Sequence, residues 1–477
     1  MKTFGRIQAP QIRGPRVTRF QAFSHFLGQP IILVLAAWMV AQAPVGSTLA
    51  NEGAGLRFES GRRTGDLDRV TAVLEAGGET SGLVAGKIEA NKMSVVCNLV
   101  YDEKTLEVPT TDQNRWRSAR HYETATAVIK GDQGGFKPTL SPRNRLIAAA
   151  VDPERCLLFS PGESLSREEL ELIDILGNTL LLEQFLPGQP CAVGDSWKLP
   201  PRLMAMMLGL DEVAETSVTS KLVEVTEDFA RFEMAGRVEG AIYGVETEID
   251  VRAKYRFHRR RERIDWWGML VKENRGISHV ADGVDVVAKL QVLIEPQEKA
   301  TNLDQQTLAS HTWEPDDRAA WLVYQSAAGW RFEHDRRWHV THDHRDLAIL
   351  QMVDRGKAVA QCNVSPLPKR DPRHPVTLEE FQRDIERALG ESFTEFVEAG
   401  QFANQSSYRV YRVVARGSAE DVPIQWNYYL ISDRSGHRVV FAFTFKRELA
   451  DDFADADRVL IGTLTFPDPQ VAKRGGE

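Results

Sequence analysis

Four of the chain's eleven histidines, His334, His339, His342 and His344, fall within eleven residues, interleaved with Asp335, Asp343 and Asp346. Imidazole nitrogens are ordinary ligands of divalent transition metals. If the segment is extended, His342 and His344 project from one face, because successive strand side chains alternate. With His339 they make the candidate metal site of this chain. The spacing matches no established zinc pattern, neither His-Glu-x-x-His nor a paired Cys-x-x-Cys. A polar strand end with solvated histidines is the other reading of the same residues.

Other residues that could do chemistry read more plainly. Arg259, Arg260, Arg261 and Arg263 suit an anionic partner, yet they sit between an alternating strand and Ile264-Asp265-Trp266-Trp267, which makes them an exposed hairpin turn. Trp266, Trp267, Trp330, Trp338 and Trp426 would line a ligand groove or fill a core, and aromatics on strands usually fill cores. Met204, Met206 and Met207 fit a short packed helix or an adaptable contact surface. There is no Gly-x-Ser-x-Gly elbow, no Walker loop, and Gly53-Ala54-Gly55 lacks the third glycine of a dinucleotide site. No catalytic residues and no cofactor are assigned, and the sequence leans away from an enzyme without excluding a triad assembled from distant positions.

The first fifty residues contain no acidic residue and five basic ones, Lys2, Arg6, Arg13, Arg16 and Arg19. An apolar run from Ile31 to Ala43 and the small residues to Thr48-Leu49-Ala50 complete the layout of a secretory signal. The apolar run is shorter than the roughly 20 residues that span a bilayer. The expectation is export to the periplasm or the extracellular space with cleavage after Ala50, or an uncleaved leader serving as an anchor. The formal net charge is −8, and removal of the leader takes away five more positive charges. An acidic surface argues against nucleic acid or an anionic membrane as partner. Four cysteines, Cys97, Cys156, Cys191 and Cys362, are too few for a disulfide scaffold. Cys156 and Cys191 flank a predicted helix and are the candidate pair.

These residues need elements to position them, and the hydrophobic pattern supplies them. Ile249, Val251, Ala253, Tyr255 and Phe257 alternate with charged residues, as do Ala230, Phe232 and Met234, and Val284 to Ile294 behaves similarly. One wet and one buried face imply an antiparallel meander. Ser166 and Glu169 form a capping box with Leu165 and Leu170 as its staple, predicting a helix that runs to about Gly177. Thr377 and Glu380 form a second box, with Leu378, Phe381, Ile385 and Leu389 as the apolar stripe and Gly390 as the stop. A last helix is expected along Leu449, Phe453, Ala456 and Leu460. The stretch 297–318 loses the apolar period and reads as a linker. The expected layout is a signal at 1–50, a domain at 51–296, the linker at 297–318, a domain at 319–466 and a disordered tail at 467–477. The expected class is α+β, each domain an antiparallel sheet with a few packed helices.

The second domain resembles the PsbP-like family of extrinsic and exported domains. The likeness lies in the order of elements: Gly329-Trp330 leading into Trp338, two hairpin strands, the Thr377 helix, three antiparallel strands including Gln425-Trp426-Asn427-Tyr428-Tyr429, and a closing helix. This resemblance implies an α/β/α sandwich and a non-enzymatic binding or assembly role. The first domain, through Leu186-Pro187-Gly188 and Val193-Gly194-Asp195-Ser196-Trp197, looks like uncharacterised exported proteins of planctomycete-type bacteria. Its one-sided sheet is also analogous to periplasmic lipoprotein carriers, an analogy of fold alone. The functional expectation is an exported, non-catalytic protein that binds another envelope component, a protein or an apolar ligand. The alternative is a metal-dependent enzyme or metal carrier using His339, His342 and His344.

Overall fold

The computed structural model describes residues 55–466, except 85–86, 111–113, 133, 154, 279 and 403–407. The leader at 1–50 and the tail at 467–477 lie outside the described residues. The chain divides into two compact units, one holding most of residues 55–320 and the other residues 321–466.

The first unit is built on one antiparallel sheet of thirteen strands. Its long members are β1 (Leu67–Val84), β2 (Lys87–Glu107) and β3 (Trp116–Gly131), followed by the shorter β4 (Leu146–Val151) and β5 (Cys156–Phe159). After the helices come β6 (Ser196–Lys198), β7 (Thr219–Val225), β8 (Phe229–Ile242), β9 (Val245–His258), β10 (Arg263–Arg275) and β11 (Gly283–Pro296). The spatial order is β5-β4-β3-β2-β1-β11-β10-β9-β8-β7-β6. The first and last long strands of the unit therefore meet in the middle, Val70 opposite Ile294 and Leu74 opposite Leu290. Hairpins join β8 to β9, β9 to β10 and β10 to β11. Ile242 pairs with Val245, and the two residues between them, Tyr243 and Gly244, both have positive φ. That is the turn geometry whose twist matches the flanking strands.

Alternation along β8 and β9 buries Phe232, Met234, Ile249, Val251, Tyr255 and Phe257 on one face. Short pieces pack on the sheet: α1 (Arg167–Ile173) and α2 (Thr179–Leu182) against β3, with α3 (Pro201–Leu208) beside α2. Leu180, Leu181 and Phe185 are fully buried there. Phe185 lies edge-on to Trp267 at 4.9 Å, and Trp267 stacks on Tyr255 at 5.0 Å. Four of the five tryptophans singled out fill the core, Trp267, Trp330, Trp338 and Trp426 all being buried, while Trp266 is half-buried. The polar stretch that follows β11 carries α4 (Gln305–Ala309), started by the Asp304 side chain. It also buries Leu303 and lays Trp313 against Ala148, Leu157 and Phe159, while Glu314 pairs with Arg115 and Arg117.

In the second unit seven strands form an antiparallel sheet. They are β14 (Trp338–His344), β15 (Leu347–Asp354), β16 (Lys357–Leu367), β17 (Phe393–Phe402), β18 (Arg409–Ala419), β19 (Val422–Ser432) and β20 (Arg438–Lys446), ordered β14-β15-β16-β20-β19-β18-β17. A preceding hairpin, β12 (Leu322–Gln325) with β13 (Arg331–His334), stands apart from this sheet. The helix α5 (Leu378–Leu389) packs Phe381, Ile385 and Leu389 against Tyr411, Val413, Trp426, Tyr428 and Leu430. The opposite face meets the β12–β13 hairpin and the short α6 (Ala450–Phe453) and α7 (Ala456–Gly462), around Phe332, Phe441, Phe443, Phe453 and Leu460.

The α+β expectation is corrected. The described residues are mostly antiparallel β, 55% of them strand and 15% helix. The expected PsbP-like α/β/α sandwich lacks full helical layers, since α5 has twelve residues, α6 four and α7 seven. The physical reason is that a capping box fixes where a helix starts and not how far it runs. Both boxes are present, but α1 stops at Ile173, short of Gly177. The closing helix is broken at Ala454, whose φ is +47°. The sheet faces are covered largely by short turns, loops and a hairpin. None of the four cysteines is in a disulfide, so the expected Cys156–Cys191 bond is absent. Asn178 donates to the Cys156 sulfur at 3.0 Å, and buried Cys191 bridges to Leu56 through its backbone. Among the described residues no helix is long and apolar enough to cross a membrane.

Candidate functional site: an arginine-lined cleft in the second unit

The histidines are held by β13 and β14 and do not converge. His334 is buried in the core beside Phe332, its Nδ1 at 2.7 Å from the Asp335 carbonyl. His339 pairs with Gln351, His342 with Ile349 and His344 with Leu347 across a bulge at Thr341. That bulge turns all three toward one face, but only the His342 and His344 rings approach, at 6.4 Å. Among the described residues no group of three or more His, Cys, Asp and Glu side chains is gathered as a metal would require. The arginine run is a hairpin turn engaged by acids: Arg260 meets Asp228, while Arg256 and Arg261 clamp Asp265.

A second charged cluster lies inside the first unit. Glu103 on β2 is completely buried and takes Arg62 at 2.7 Å and Arg120 at 2.8 Å, with hydroxyl donors Ser118 and Thr179. Burial, the largest influence, acts to raise its pKa, yet Arg120, Arg62 and the hydroxyls together hold it well below the usual carboxylate range. Every oxygen is committed, so this carboxylate is structural.

Its neighbour Glu183 is less well served. It accepts from the Ile264 amide at 3.2 Å, its other oxygen has no hydrogen-bond partner among the described residues, and burial pushes it up to about 7 despite Arg263 and Arg62. An unfolded Glu titrates near 4.3. The unfolded chain therefore releases its proton first, and the stability that protonated Glu183 confers is full below about 4.3 and lost as pH rises through 7. Glu183→Gln is expected to remove a decline of roughly 3–4 kcal/mol in the first unit's unfolding free energy over that window, read by urea denaturation across pH.

The open concavity of chemical interest is in the second unit, a cleft of about 300 Å³. Arg409 and Tyr411 from β18 face Ser432 and Leu430 of β19 in register. Arg438 opens β20 opposite Ser432. The loop before α5 supplies Arg370, Asp371, Pro372, Pro375 and Val376, and the β19–β20 turn supplies Asp433, Arg434 and Gly436. The loop and turn are tied by the Arg370 amide donating to the Gly436 carbonyl at 3.1 Å. A side chain at Gly436, where φ is +80°, would stand 2.1 Å from the Arg370 carbonyl oxygen.

The charges in the cleft are unbalanced. Asp433 is spent on His437 Nδ1 at 2.6 Å and on the Ser435 and His437 amides, and Asp371 on Arg373 and His374. Arg438 donates to the Pro368 carbonyl and is lowered by burial first and by Arg370 second. Arg370 reaches Glu380 at 3.4 Å. Arg409 and Arg434 line the same space, and among the described residues neither forms an ion pair. Guanidinium groups so placed offer forked donors to a carboxylate or phosphate. Sequence reading missed this site because Arg370, Arg409 and Arg438 each look like an ordinary strand-end or loop charge. Only the register brings them together.

No protein family matches the sequence, and no curated protein does. Among solved structures, 31% of this chain is similar to 93% of the cyanobacterial PsbP from Synechocystis, at 12% identity and a TM-score of 0.25. The translocator domain of autotransporter NalP from Neisseria meningitidis is matched over 81% of this chain and 90% of its own, at 8% identity and a TM-score of 0.13. The outer membrane protein OprD from Pseudomonas aeruginosa is matched over 82% and 96%, at 8% identity and a TM-score of 0.13. The first is a weak PsbP-like resemblance of part of the chain. None of the three carries an argument about what this protein binds.

Proposed function

We propose that this chain is an exported, non-catalytic binding protein of the cell envelope, and that the arginine-lined cleft is where it holds its partner or ligand. The observation that supports this reading is the pair Arg409 and Arg434, two guanidiniums without an ionic partner among the described residues, facing one cleft whose carboxylates are already engaged. Unneutralised charge in a concave, partly apolar setting favours an incoming anion more than the same charge on open surface. Export rests on the basic leader with its apolar run and small-residue end.

Native mass spectrometry of the mature protein, isolated from its own cells, tests the reading. The wild-type chain is expected to carry a bound component that the double variant Arg409→Ala/Arg434→Ala lacks. A component retained equally by both forms would place binding elsewhere.

A further inference from the structure

The lining of the cleft restricts what it can take. Arg370, Arg409, Arg434 and Arg438 share the cleft with an apolar floor of the buried Tyr411, Leu430 and Val376 and with half-buried Pro375. Val376, Leu430 and Arg438 also border a gap between α5 and the sheet, lined by Phe381, Ile385 and Tyr428. Charge and apolar surface are thus adjacent in one concavity, whose volume of about 300 Å³ is at the small end of ligand sites. A nucleic acid strand would not suit it, since the rest of the protein is acidic. A bare inorganic anion would leave the apolar floor wet.

We infer that the cleft binds a small amphiphilic anion, with a phosphate monoester or carboxylate head between Arg409 and Arg434 and a short alkyl or aryl body over Tyr411, Leu430 and Pro375. This rests on the proposed reading of the cleft as the ligand site. The turn is built to hold the heads in place. Asp433 fixes the loop through two backbone amides and His437, so Arg434 is presented by a rigid turn, while Arg409 is fixed by its strand opposite Ser432. Phosphate and carboxylate share the recognition chemistry, and the two are separated by experiment.

Isothermal titration of the full chain with inorganic phosphate, hexyl phosphate, hexanoate, hexanol and hexylammonium is the test. Hexyl phosphate or hexanoate is expected to bind at least about tenfold more tightly than inorganic phosphate, because several methylenes leave water. Hexanol and hexylammonium are expected to show no heat. Arg409→Ala/Arg434→Ala should weaken the preferred anion about a hundredfold, and the exposed single variant Arg434→Ala, which disturbs no packing, about tenfold. Which of the two heads wins identifies the source class. Equal affinity for hexyl and inorganic phosphate, lost in the double variant, would overturn the amphiphile and leave an anion site. Hexyl phosphate binding unchanged in the double variant, or hexanol binding as well as hexyl phosphate, would overturn the proposal altogether. A native component retained by the double variant overturns the underlying reading instead.

Discussion

Glu103→Gln is expected to destabilise the first unit by about 3–5 kcal/mol, the usual cost of removing one partner from a buried ion pair. Arg62 and Arg120 are both almost wholly buried and share this one carboxylate, so the amide removes the acid both are bonded to and leaves Arg62 only the more distant Asp68 and Glu183. Arg62 retains Thr105 at 2.9 Å and the Thr179 carbonyl, and Arg120 retains Asn178. Those neutral acceptors satisfy donors but not charge. For a unit of this size the midpoint should fall by about 10 °C. The pH dependence has a definite sign. Because the folded carboxyl lies below its ordinary value, its stabilisation is present above about pH 4.3 and is lost as the pH falls toward the folded value. Wild type should therefore lose stability in acid, and the variant should lose much less. Replacing Arg62, Glu103 and Arg120 together by Met, Leu and Met should recover much of the loss, since apolar residues of similar volume often match a buried ion cluster. Thermal melts of the three proteins across pH decide the matter; an unchanged midpoint for Glu103→Gln would contradict the description of this cluster.

Phe443→Ala is expected to cost the second unit about 3–5 kcal/mol through lost burial and the cavity left behind. Phe443 has no exposed surface and is met by Trp338, Tyr429 and Phe453, each about 5.9 Å away between ring centres. Rings on three sides belong to β14, β19 and α6, so no one element can collapse into the space. Scanning calorimetry is expected to resolve two transitions, with Glu103→Gln lowering one and Phe443→Ala the other. A single transition moved by both variants would contradict the division into two units.

Much of the local architecture was legible because it rests on periodicity. The alternation from Glu248 to Phe257 placed β9, and the boxes at Ser166 and Thr377 placed the starts of α1 and α5. Helix lengths were not legible, because the chain leaves the helix where the tertiary surface requires it, as at Ala454 with its positive φ. The α+β reading failed for that reason. The buried carboxylate did leave a trace: Leu99, Tyr101, Glu103 and Thr105 occupy every second position of β2 and are all buried. A glutamate in phase with apolar neighbours on a one-sided strand signals a buried charge, and Arg120 sits likewise between Ser118 and Tyr122 on β3. The cleft left no such trace. Arg370 and Arg438 lie on either side of the Thr377 helix in sequence, and only the register of β18, β19 and β20 closes the distance.

Amide hydrogen exchange of the full chain, with and without hexyl phosphate or hexanoate, tests the assignment of binding to the cleft most directly. Protection is expected in the loop 370–376, at Arg409 to Tyr411 and in the turn 430–438, and it should vanish in Arg409→Ala/Arg434→Ala. Protection confined to other segments, such as the β14 histidines, or no protection at saturating ligand, would contradict it.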